Sequence, residues 1–563
     1  MSSRSVDSNP PVSPDDSHWY SAVDKPIVVS SADSAFWHQR ADVVVVGLGG
    51  AGVCTAIEAL DGGASVIAVD RFQGGGATAM SGGIVYLGGG TEQQCDAGVK
   101  DSPTQMYNYL RMEAEDAVRS ATLKRFCDSS VEMCRWLQHN GVEFDDALSP
   151  VKTSYPGNRY YLYYSGNELV DGFADRARPA PRGHRAFGRG LSGAAFYQPL
   201  KQAALAKGLE LKKHSLVNRL VVDASGAVVG VEVRRIDPHS NEDKQHHWFS
   251  VAANRLRSIA PPLAAFFQRK VEMLEQSMQV EVELIRADKA VVLAAGGFVF
   301  NREMVAHYAP AYRDAMPIGS MGCNGSGIRL GQSVGAAVER MDRVSAWRFI
   351  NPPLAWSQGI VVNDDGQRFC NEQVYGARLG YHMVEHNAGR ATLIISGDLF
   401  WQAVKQSLPW KIWSSQALPA LLNLFFNAKK ANTIAQLALR CDVPEDALQA
   451  TVDAYNRAAA GEQQDQYGKT AEFMQGLYSG PYYALDISVD SRWFPCPSIT
   501  VGGLQVDENS GQVKDGQGGV ISGLYAAGRN AVGVASNFYV SGLSIADCVF
   551  SGRRAARHIT TKQ

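Results

Sequence analysis

Six consecutive residues have the types and spacing needed to bind a pyrophosphate. The segment from Gly47 to Gly52 reads GLGGAG and matches the G-x-G-x-x-G pattern. In this pattern the first glycine permits a tight turn, the second lets a phosphate approach the backbone, and the third lets a helix pack closely on a strand. Asp70 follows at the end of the next predicted strand, where a carboxylate can bind ribose hydroxyls. The spacing predicts a dinucleotide site.

The elements around this segment are those of a βαβ unit. The valine run Val43–Val46 predicts a parallel strand that is buried on both faces. Residues 51–60 predict a helix that stops at Gly62, and residues 65–70 predict a second strand. A helix that begins at the glycine turn directs its N-terminal dipole at bound phosphates. A purely structural glycine turn is the alternative, and the three features together favour dinucleotide binding.

Glycine-rich segments further along the chain favour FAD over NAD. Residues 74–76 and 81–83 follow Asp70, and Gly523–Gly528 (GLYAAG) can cover an isoalloxazine ring before a helix that begins near Ser544. Residues 290–295 predict another strand that ends at a glycine pair. The predicted FAD-binding residues are Gly47, Gly49, Gly50, Ala51, Gly52, Asp70, Arg71, Ala77, Ser81, Gly82, Gly83, Ala295, Gly296, Gly528, Arg529, Leu543 and Ser544.

The predicted fold class is α/β, with an α+β cap: a Rossmann-like FAD-binding domain that carries an inserted catalytic domain. Residues 1–39 are rich in Pro, Ser and Asp and predict an N-terminal arm. Residues 40–340 and 496–563 form the predicted discontinuous FAD-binding domain. Residues 341–495 mix strands and amphipathic helices without glycine-turn signals and form the predicted catalytic or cap domain.

Composition excludes several other classes of protein. The chain has 54 Lys plus Arg against 56 Asp plus Glu, so it has no net field to attract nucleic acid. Its 9 cysteines lack the spacing of a zinc or iron–sulfur site, which predicts no metal and reduced, cytosolic thiols. No run of about 18 apolar residues predicts a membrane span, and the N-terminus lacks the apolar core of a secretory signal. We therefore expect a cytoplasmic protein that binds a small molecule.

These glycine segments resemble those of the flavoprotein superfamily of fumarate reductase and succinate dehydrogenase. In succinate dehydrogenases a histidine six residues before the Gly-Gly pair carries the flavin covalently, whereas the matching position here is Gly76. The resemblance therefore implies non-covalent FAD. Superfamily members that act on fumarate carry an N-R-L-G-G segment, and the comparable residues here are Phe538–Gly542 (FYVSG). Tyr539 in place of the arginine makes a dicarboxylate substrate improbable.

Within that superfamily, the Tyr-x-Ser-Gly spacing resembles the 3-ketosteroid Δ4-(5α)-dehydrogenases, whereas the Δ1 branch typically has Tyr-Pro-Gly-Pro-Gly. Three further passages are similar to this branch: residues 81–90, residues 180–184, and residues 367–372, which lead to Tyr375. The likeness covers most of the chain from about residue 40. It fails near residues 240–280 and 405–428, where this chain is longer than the family pattern.

The resemblance implies a reaction and four site residues. A 3-ketosteroid would lose a proton from C4 and a hydride from C5 to flavin N5, and an external acceptor would reoxidise the flavin. Tyr539 would be the base, Tyr375 would stabilise its phenolate, Ser541 would relay the proton, and the N–H near Gly542 would polarise the ketone. The structural alternative is that both tyrosines only pack under the flavin and that Ser541 caps the next helix.

Three other functions stay open from the sequence alone. A Δ1-dehydrogenase would use the same flavin and a similar tyrosine pair. An enone reductase would run flavin chemistry in the opposite direction. The third is a membrane-bound flavoprotein whose substrate pocket is vestigial and whose apolar helices dock a partner.

Two segments are unusually apolar. Residues 260–267 read APPLAAFF, and residues 408–426 combine Trp, Leu and Phe with flanking lysines. Such a helix predicts a peripheral membrane contact, here on the inner face of the membrane. Packing on the core or on a second subunit is an equal alternative, so the sequence leaves the oligomeric state open.

Overall fold

The strands and helices below come from a computed structural model that describes residues 25–238, 240–257, 260–277, 281–408 and 412–561. The strands are β1 (Ile27–Val28), β2 (Gln39–Val46), β3 (Val66–Val69), β4 (Ile84–Tyr86), β5 (Leu162–Tyr163), β6 (Gly183–Arg185), β7 (Glu210–Lys212), β8 (Ser215–Val222), β9 (Val228–Arg235), β10 (Glu281–Leu293), β11 (Met316–Pro317), β12 (Val338–Glu339), β13 (Val344–Ala346), β14 (Ile360–Val362), β15 (Thr392–Ser396), β16 (Lys429–Ala431), β17 (Tyr482–Asp486), β18 (Pro497–Thr500), β19 (Gly503–Leu504), β20 (Gln512–Lys514) and β21 (Val520–Ala526). The helices are α1 (Gly50–Asp61), α2 (Gly76–Ala79), α3 (Glu92–Asp96), α4 (Pro103–Ala114), α5 (Ser120–Asp128), α6 (Ser130–His139), α7 (Gly193–Ala206), α8 (Asn241–Leu256), α9 (Pro261–Ser277), α10 (Arg302–Tyr308), α11 (Ser326–Gln332), α12 (Leu354–Ser357), α13 (Gly376–His386), α14 (Gly397–Gln406), α15 (Ser414–Leu422), α16 (Ile434–Cys441), α17 (Glu445–Ala459) and α18 (Leu543–Thr561).

The largest sheet forms around the predicted valine strand. Its order is β1-β8-β9-β10-β2-β3-β7, and β21 and β20 extend it from β10. Strand β2 is parallel to both β3 and β10, so its four valines lie between two neighbours and are almost fully buried. Helices α1 and α18 pack together in the apolar core on one side of this sheet. The predicted α/β class and the Rossmann-like unit are confirmed.

The third glycine of the motif brings α1 close to β2. A Cβ placed on Gly52 would lie 2.1 Å from the carbonyl oxygen of Gly47, so no larger residue fits there. Gly47 itself has a φ of 91°, a conformation that favours glycine. The two glycines therefore set the angle at which α1 leaves the sheet.

Some element boundaries differ from the predictions. The strand expected at residues 290–295 begins at Glu281 and ends at Leu293, since its first part pairs with β9. Part of the expected arm adds an edge strand, because Ile27 and Val28 pair with Val221 and Val222 of β8. The helix expected near Ser544 begins at Leu543.

A second apolar core lies around the sheet β14-β15-β17-β16. Its buried residues come from between Ala309 and Cys496, and helices α13, α14, α16 and α17 contribute to it. Strands β13 and β18 pair antiparallel and carry the chain between this core and the large sheet. The exact domain boundaries at 340 and 496 stay predictions.

The apolar segment 408–426 does not form one helix. Helix α15 covers only Ser414–Leu422 and is followed by a wider turn at Asn423–Asn427, while Trp410 lies outside the described residues. The segment 260–267 belongs largely to α9, which packs against α8 as a helical hairpin. Among the described helices, none is long and apolar enough to cross a membrane.

Candidate active site

One cavity of about 860 Å³ connects the glycine turn with the predicted tyrosines. It runs from the ends of β3 and β10, past the N-terminus of α1, to the turn before α18. The predicted FAD-binding residues that line it are Gly47, Gly49, Gly50, Ala51, Asp70, Arg71, Ala77, Ser81, Gly82, Ala295, Gly296, Gly528, Arg529 and Ser544. Residues that lie far apart in the sequence thus meet along one cavity.

Three other predicted residues are not among the described residues that line the cavity. Gly52 lies behind the glycine turn, where it packs α1 on the sheet. A Cβ on Gly83 would lie 2.4 Å from the backbone of Ser192, and Leu543 is fully buried in the core. These three residues lie behind the residues that line the cavity and pack against them.

The glycine turn fits a pyrophosphate. A Cβ on Gly49 would meet nothing within 4 Å, so this position faces open space at the N-terminus of α1. A phosphate can approach the backbone there and meet unpaired N–H groups and the helix dipole.

Asp70 organises the turn as well as facing the cavity. Its Oδ2 accepts the backbone N–H of Leu48 at 2.8 Å, and its Oδ1 accepts those of Phe72 at 2.8 Å and Gly74 at 3.0 Å. A carboxylate oxygen can accept two hydrogen bonds, so Oδ2 keeps capacity for a ribose hydroxyl. The carboxylate therefore joins the two glycine segments at the predicted ribose position.

Arg71 is held by the helical hairpin. Its guanidinium makes a bidentate pair with Glu275 of α9, at 2.7 Å from Nε and 2.6 Å from Nη2. Burial raises the pKa of Glu275, but the charge of Arg71 and a hydrogen bond from His246 outweigh burial and lower it to about 2. The helical hairpin thus closes the dinucleotide end of the cavity. The sequence contained no signal for the ion pair between Arg71 and Glu275.

The other end of the cavity brings the four predicted catalytic residues together. Tyr375 immediately precedes α13, and Tyr539, Ser541 and Gly542 form the turn that leads into α18. All four line the cavity. Gly542 has a φ of 89°, and its carbonyl accepts the backbone N–H of Tyr86 at 3.1 Å.

A hydrogen bond joins two of the hydroxyl groups at this end. The hydroxyl of Tyr163, in β5, donates to Oγ of Ser541 at 2.9 Å. The side chain of Ser541 also opposes the rise that burial causes in the pKa of Tyr375. The backbone N–H of Tyr375 is held by Oδ1 of Asn167 at 2.6 Å. Ser541 therefore lies between two buried phenols.

Aromatic neighbours hold the two tyrosine rings. Trp347 stacks on Tyr539 with ring centroids 5.1 Å apart, and Phe349 meets Tyr375 edge-on at 5.2 Å. Both neighbours line the cavity. Their apolar faces make this end suitable for a flat hydrocarbon ligand.

Burial keeps the phenols protonated at rest. It raises the pKa of Tyr539 to about 12, although the charge of Arg529 and a hydrogen bond from the N–H of Gly542 oppose this shift. Burial raises the pKa of Tyr375 and of Tyr163 well above the ordinary value. Of the three phenols, Tyr539 loses its proton most readily.

Sequence reasoning missed Tyr163, Asn167, Trp347 and Phe349. None of them lies in a recognisable pattern, and each reaches the site only through long-range packing. His184, from the passage 180–184 that is similar to the steroid dehydrogenases, is buried in β6, where its Nε2 lies 2.8 Å from the hydroxyl of Thr91.

Comparison with known proteins gives consistent results. The family described as "FAD binding domain" matches residues 42–545. A 3-oxo-5-alpha-steroid 4-dehydrogenase of Comamonas testosteroni is 39% identical over 89% of this chain and 94% of its own length. A 3-oxosteroid 1-dehydrogenase of Mycobacterium tuberculosis is 26% identical over 92% of this chain and 98% of its own. The crystal structure of 3-ketosteroid-delta4-(5alpha)-dehydrogenase from Rhodococcus jostii RHA1, in complex with 4-androstene-3,17-dione, superposes with a TM-score of 0.78 at 30% identity, covering 96% of this chain and 100% of that one.

Proposed function

This chain belongs to the family of FAD-dependent 3-oxosteroid dehydrogenases, and from that premise we propose that it introduces a C4–C5 double bond into 3-keto-5α-steroids. The observation that carries the proposal is the meeting of Tyr375, Tyr539, Ser541 and Gly542 at the end of the cavity that lies away from the glycine turn. These groups are suited to a neutral ketone and a weakly acidic C–H bond. Bound FAD would supply the hydride acceptor for C5.

Tyr539 removes the proton from C4 in this proposal. The charge of Arg529 and the nearby N–H of Gly542 both lower its pKa, so its phenolate costs least among the three phenols. Gly542 lies beside the same oxygen, where its N–H can polarise the C3 ketone. The base has to reach C4, and the hydrogen-bond donor has to reach the ketone oxygen on C3. Because C3 and C4 are bonded to each other, the two protein groups have to lie side by side.

The hydroxyl groups of Tyr375, Ser541 and Tyr163 then lead the proton away from the substrate. Ser541 accepts a hydrogen bond from Tyr163 and lines the cavity together with Tyr375, so one proton can pass through its hydroxyl. Trp347 and Phe349 hold the steroid ring plane against the tyrosine rings. An external electron acceptor, of a chemistry that the site does not specify, completes the cycle.

Anaerobic addition of 5α-androstane-3,17-dione to the yellow holoenzyme tests this function. We expect the flavin to bleach and the product to carry a C4–C5 double bond, as read by mass spectrometry and NMR. A C1–C2 double bond would instead assign the enzyme to the Δ1 branch. An enone that reoxidises the reduced flavin, with no bleaching by the saturated ketone, would establish the reductive direction.

We also propose a peripheral membrane contact beside the substrate end. Leu418, Phe425 and Phe426 are 61%, 55% and 67% exposed, and Lys429 and Lys430 follow directly. Exposed apolar side chains beside cations are typical of a surface that binds anionic lipid.

The apolar surface is connected to the cavity. Gln416 of α15 lines the cavity, and Trp413, just before α15, packs edge-on against Tyr155, another lining residue, at 6.0 Å. A steroid dissolved in lipid would then have a short path to the site.

Vesicle co-sedimentation tests the membrane contact. Wild-type protein is expected to bind vesicles of phosphatidylcholine and phosphatidylglycerol. The double substitution Phe425→Asp and Phe426→Asp should weaken binding by about 10² to 10⁴-fold, because burial of each of the two phenylalanines contributes about 1.5–3 kcal/mol. Phe36→Asp, at a phenylalanine that is 77% exposed beside β1, is the matched control and should bind as the wild type does. Wild-type protein that stays in the supernatant would refute the contact.

A further inference from the structure

Glu168 is a buried carboxylate without a cation partner. Its side chain is 1% exposed, and across the described ranges no Lys, Arg or His forms an ion pair with it. Its Oε1 accepts the hydroxyl of Tyr86 at 3.1 Å, and its Oε2 accepts the N–H of Gly166 at 2.8 Å. The nearby buried Glu113, by contrast, is paired with Arg378 at 2.9 Å. A buried carboxylate with two neutral donors is costly unless it has a use.

Tyr86, which donates to Glu168, and Tyr163, which donates to Ser541, share one face of a small sheet. Strand β6 lies between β4 and β5, and Gly183 of β6 is directly opposite both Tyr86 and Tyr163. Residues directly opposite on neighbouring strands project to the same face. A Cβ on Gly183 would lie 2.7 Å from the Tyr163 ring, so that ring covers the glycine.

The segment that carries Glu168 is bonded to the catalytic turn. The N–H of Ser541 donates to the carbonyl of Ser165 at 3.1 Å, and the hydroxyl of Ser165 donates to the carbonyl of Ser541 at 3.2 Å. Two residues before Ser165, the Tyr163 hydroxyl reaches Oγ of Ser541. These hydrogen bonds therefore connect the catalytic turn with the segment that ends at Glu168.

We propose that Glu168 is the buried acceptor that stores the C4 proton until the product leaves; this rests on the dehydrogenation proposed above. The C4–H bond breaks, and its electron pair forms the C4–C5 double bond as the C5–H bond gives its pair, as hydride, to FAD. The proton passes through the hydroxyl groups of the site and forms an O–H bond on the Glu168 carboxylate. Release of that proton to water restores the carboxylate.

The electrostatic setting supports this role. Burial raises the pKa of Glu168, which favours the protonated acid, while the charges of Arg182 and Lys152 oppose the shift and help retain the carboxylate before reaction. Burial raises the pKa of several surrounding phenols, and the negative charge of Glu168 raises it further. These phenols are Tyr86, Tyr109, Tyr163, Tyr164 and Tyr375. Glu168 is thus electrostatically close to Tyr163 and Tyr375 of the proposed route.

A single-turnover experiment with a pH-indicator dye tests the proposal. The holoenzyme is mixed anaerobically with 5α-androstane-3,17-dione, and flavin bleaching and proton release are followed together. We expect wild-type protein to release its proton after bleaching. Glu168→Gln should remove this lag and slow bleaching by about tenfold to a hundredfold, near the lower end of general acid–base contributions.

Two further variants keep the outcomes distinct. Tyr163→Phe breaks the connection to Ser541 without altering Glu168 and should also abolish the lag. Asp547→Asn is the matched control, because Asp547 is a buried carboxylate whose pKa burial raises to about 6 and which is not among the described residues that line the cavity. It should keep the lag. A lag that survives in folded Glu168→Gln or, should that variant not fold, in Tyr163→Phe overturns the proposal, whereas absence of bleaching in wild-type protein overturns the dehydrogenation itself.

Discussion

Replacement of Tyr539 by phenylalanine is expected to slow flavin bleaching by about 10² to 10⁴-fold, the range that a positioned acid–base group contributes. The ring should stay in place, because Trp347 stacks on it at 5.1 Å and that contact does not need the hydroxyl. Steroid affinity and the spectrum of bound FAD should therefore change little. Stopped-flow absorbance under anaerobic conditions measures the rate of bleaching directly.

The pH dependence of the same rate supplies an independent reading. Because the pKa of Tyr539 is raised to about 12, the phenol is almost fully protonated near neutral pH. Deprotonation creates the base, so the wild-type rate should rise as pH increases from about 7 towards 10. The phenylalanine variant should lack this rise.

Tyr525→Phe is the matched control for this experiment. Tyr525 is a buried phenol whose pKa burial also raises to about 12, and its hydroxyl lies 2.9 Å from Nδ1 of His558. It is not among the described residues that line the cavity. Its substitution should leave bleaching unchanged. A Tyr539→Phe enzyme that bleaches at the wild-type rate would exclude Tyr539 as the base.

The Glu372→Gln substitution is expected to lower the free energy of unfolding by about 3–5 kcal/mol, the cost of leaving one side of a buried ion pair uncompensated. Glu372 is fully buried. Its carboxylate forms ion pairs with the guanidinium of Arg368 at 2.7 Å and with the ammonium of Lys469 at 3.1 Å. It also accepts the backbone N–H of Val361 at 2.9 Å. Removal of its charge leaves the buried Lys469 without its paired carboxylate and leaves Arg368 with Asp465 alone. Equilibrium unfolding in urea, or the apparent Tm where unfolding is irreversible, measures the loss.

Acid should remove the same contribution from the wild-type protein. Burial raises the pKa of Glu372, but the charges of Arg368 and Lys469 outweigh burial and lower it to about 2. Because the pKa of Glu372 is lower in the folded protein than in the unfolded chain, its charge stabilises the fold fully at pH values above about 4.5, the pKa in the unfolded chain. This contribution is lost as pH falls from about 4.5 to about 2. The glutamine variant should lack this part of the acid transition.

Asp128→Asn is the control for stability. Its partner Lys124 is 67% exposed and Asp128 is 49% exposed, so their pair should contribute less than about 0.5 kcal/mol. An equally small loss in Glu372→Gln would show that the buried network is not needed for folding.

The sequence by itself determined the parts of this protein that depend on short-range pattern. A valine run before a glycine turn specifies a buried parallel strand and a phosphate-binding helix N-terminus, because hydrophobic period and glycine conformation act over a few residues. The segment from Tyr539 to Gly542 could also be recognised from the sequence, because its residue types and spacing resemble those of the steroid dehydrogenases. The FAD cofactor followed from the same segments.

The apolar segment 408–426 shows where local pattern is insufficient. Its composition predicted one continuous helix, but Pro419 removes a backbone donor within α15 and the chain changes to a wider turn at Asn423. The helix therefore ends before Phe425 and Phe426, which are exposed in the following turn.

Only the tertiary structure decided which distant residues surround the predicted site. Tyr163 meets Ser541 across 378 positions of sequence, and Arg71 meets Glu275 across 204. No local pattern encodes such contacts, because they arise from strand pairing and from helices packed on the sheet. The setting of Glu168 likewise depends on β4, β5 and β6 lying side by side. The sequence therefore predicted a set of candidate reacting groups, whereas long-range packing determined their hydrogen-bond partners and their burial.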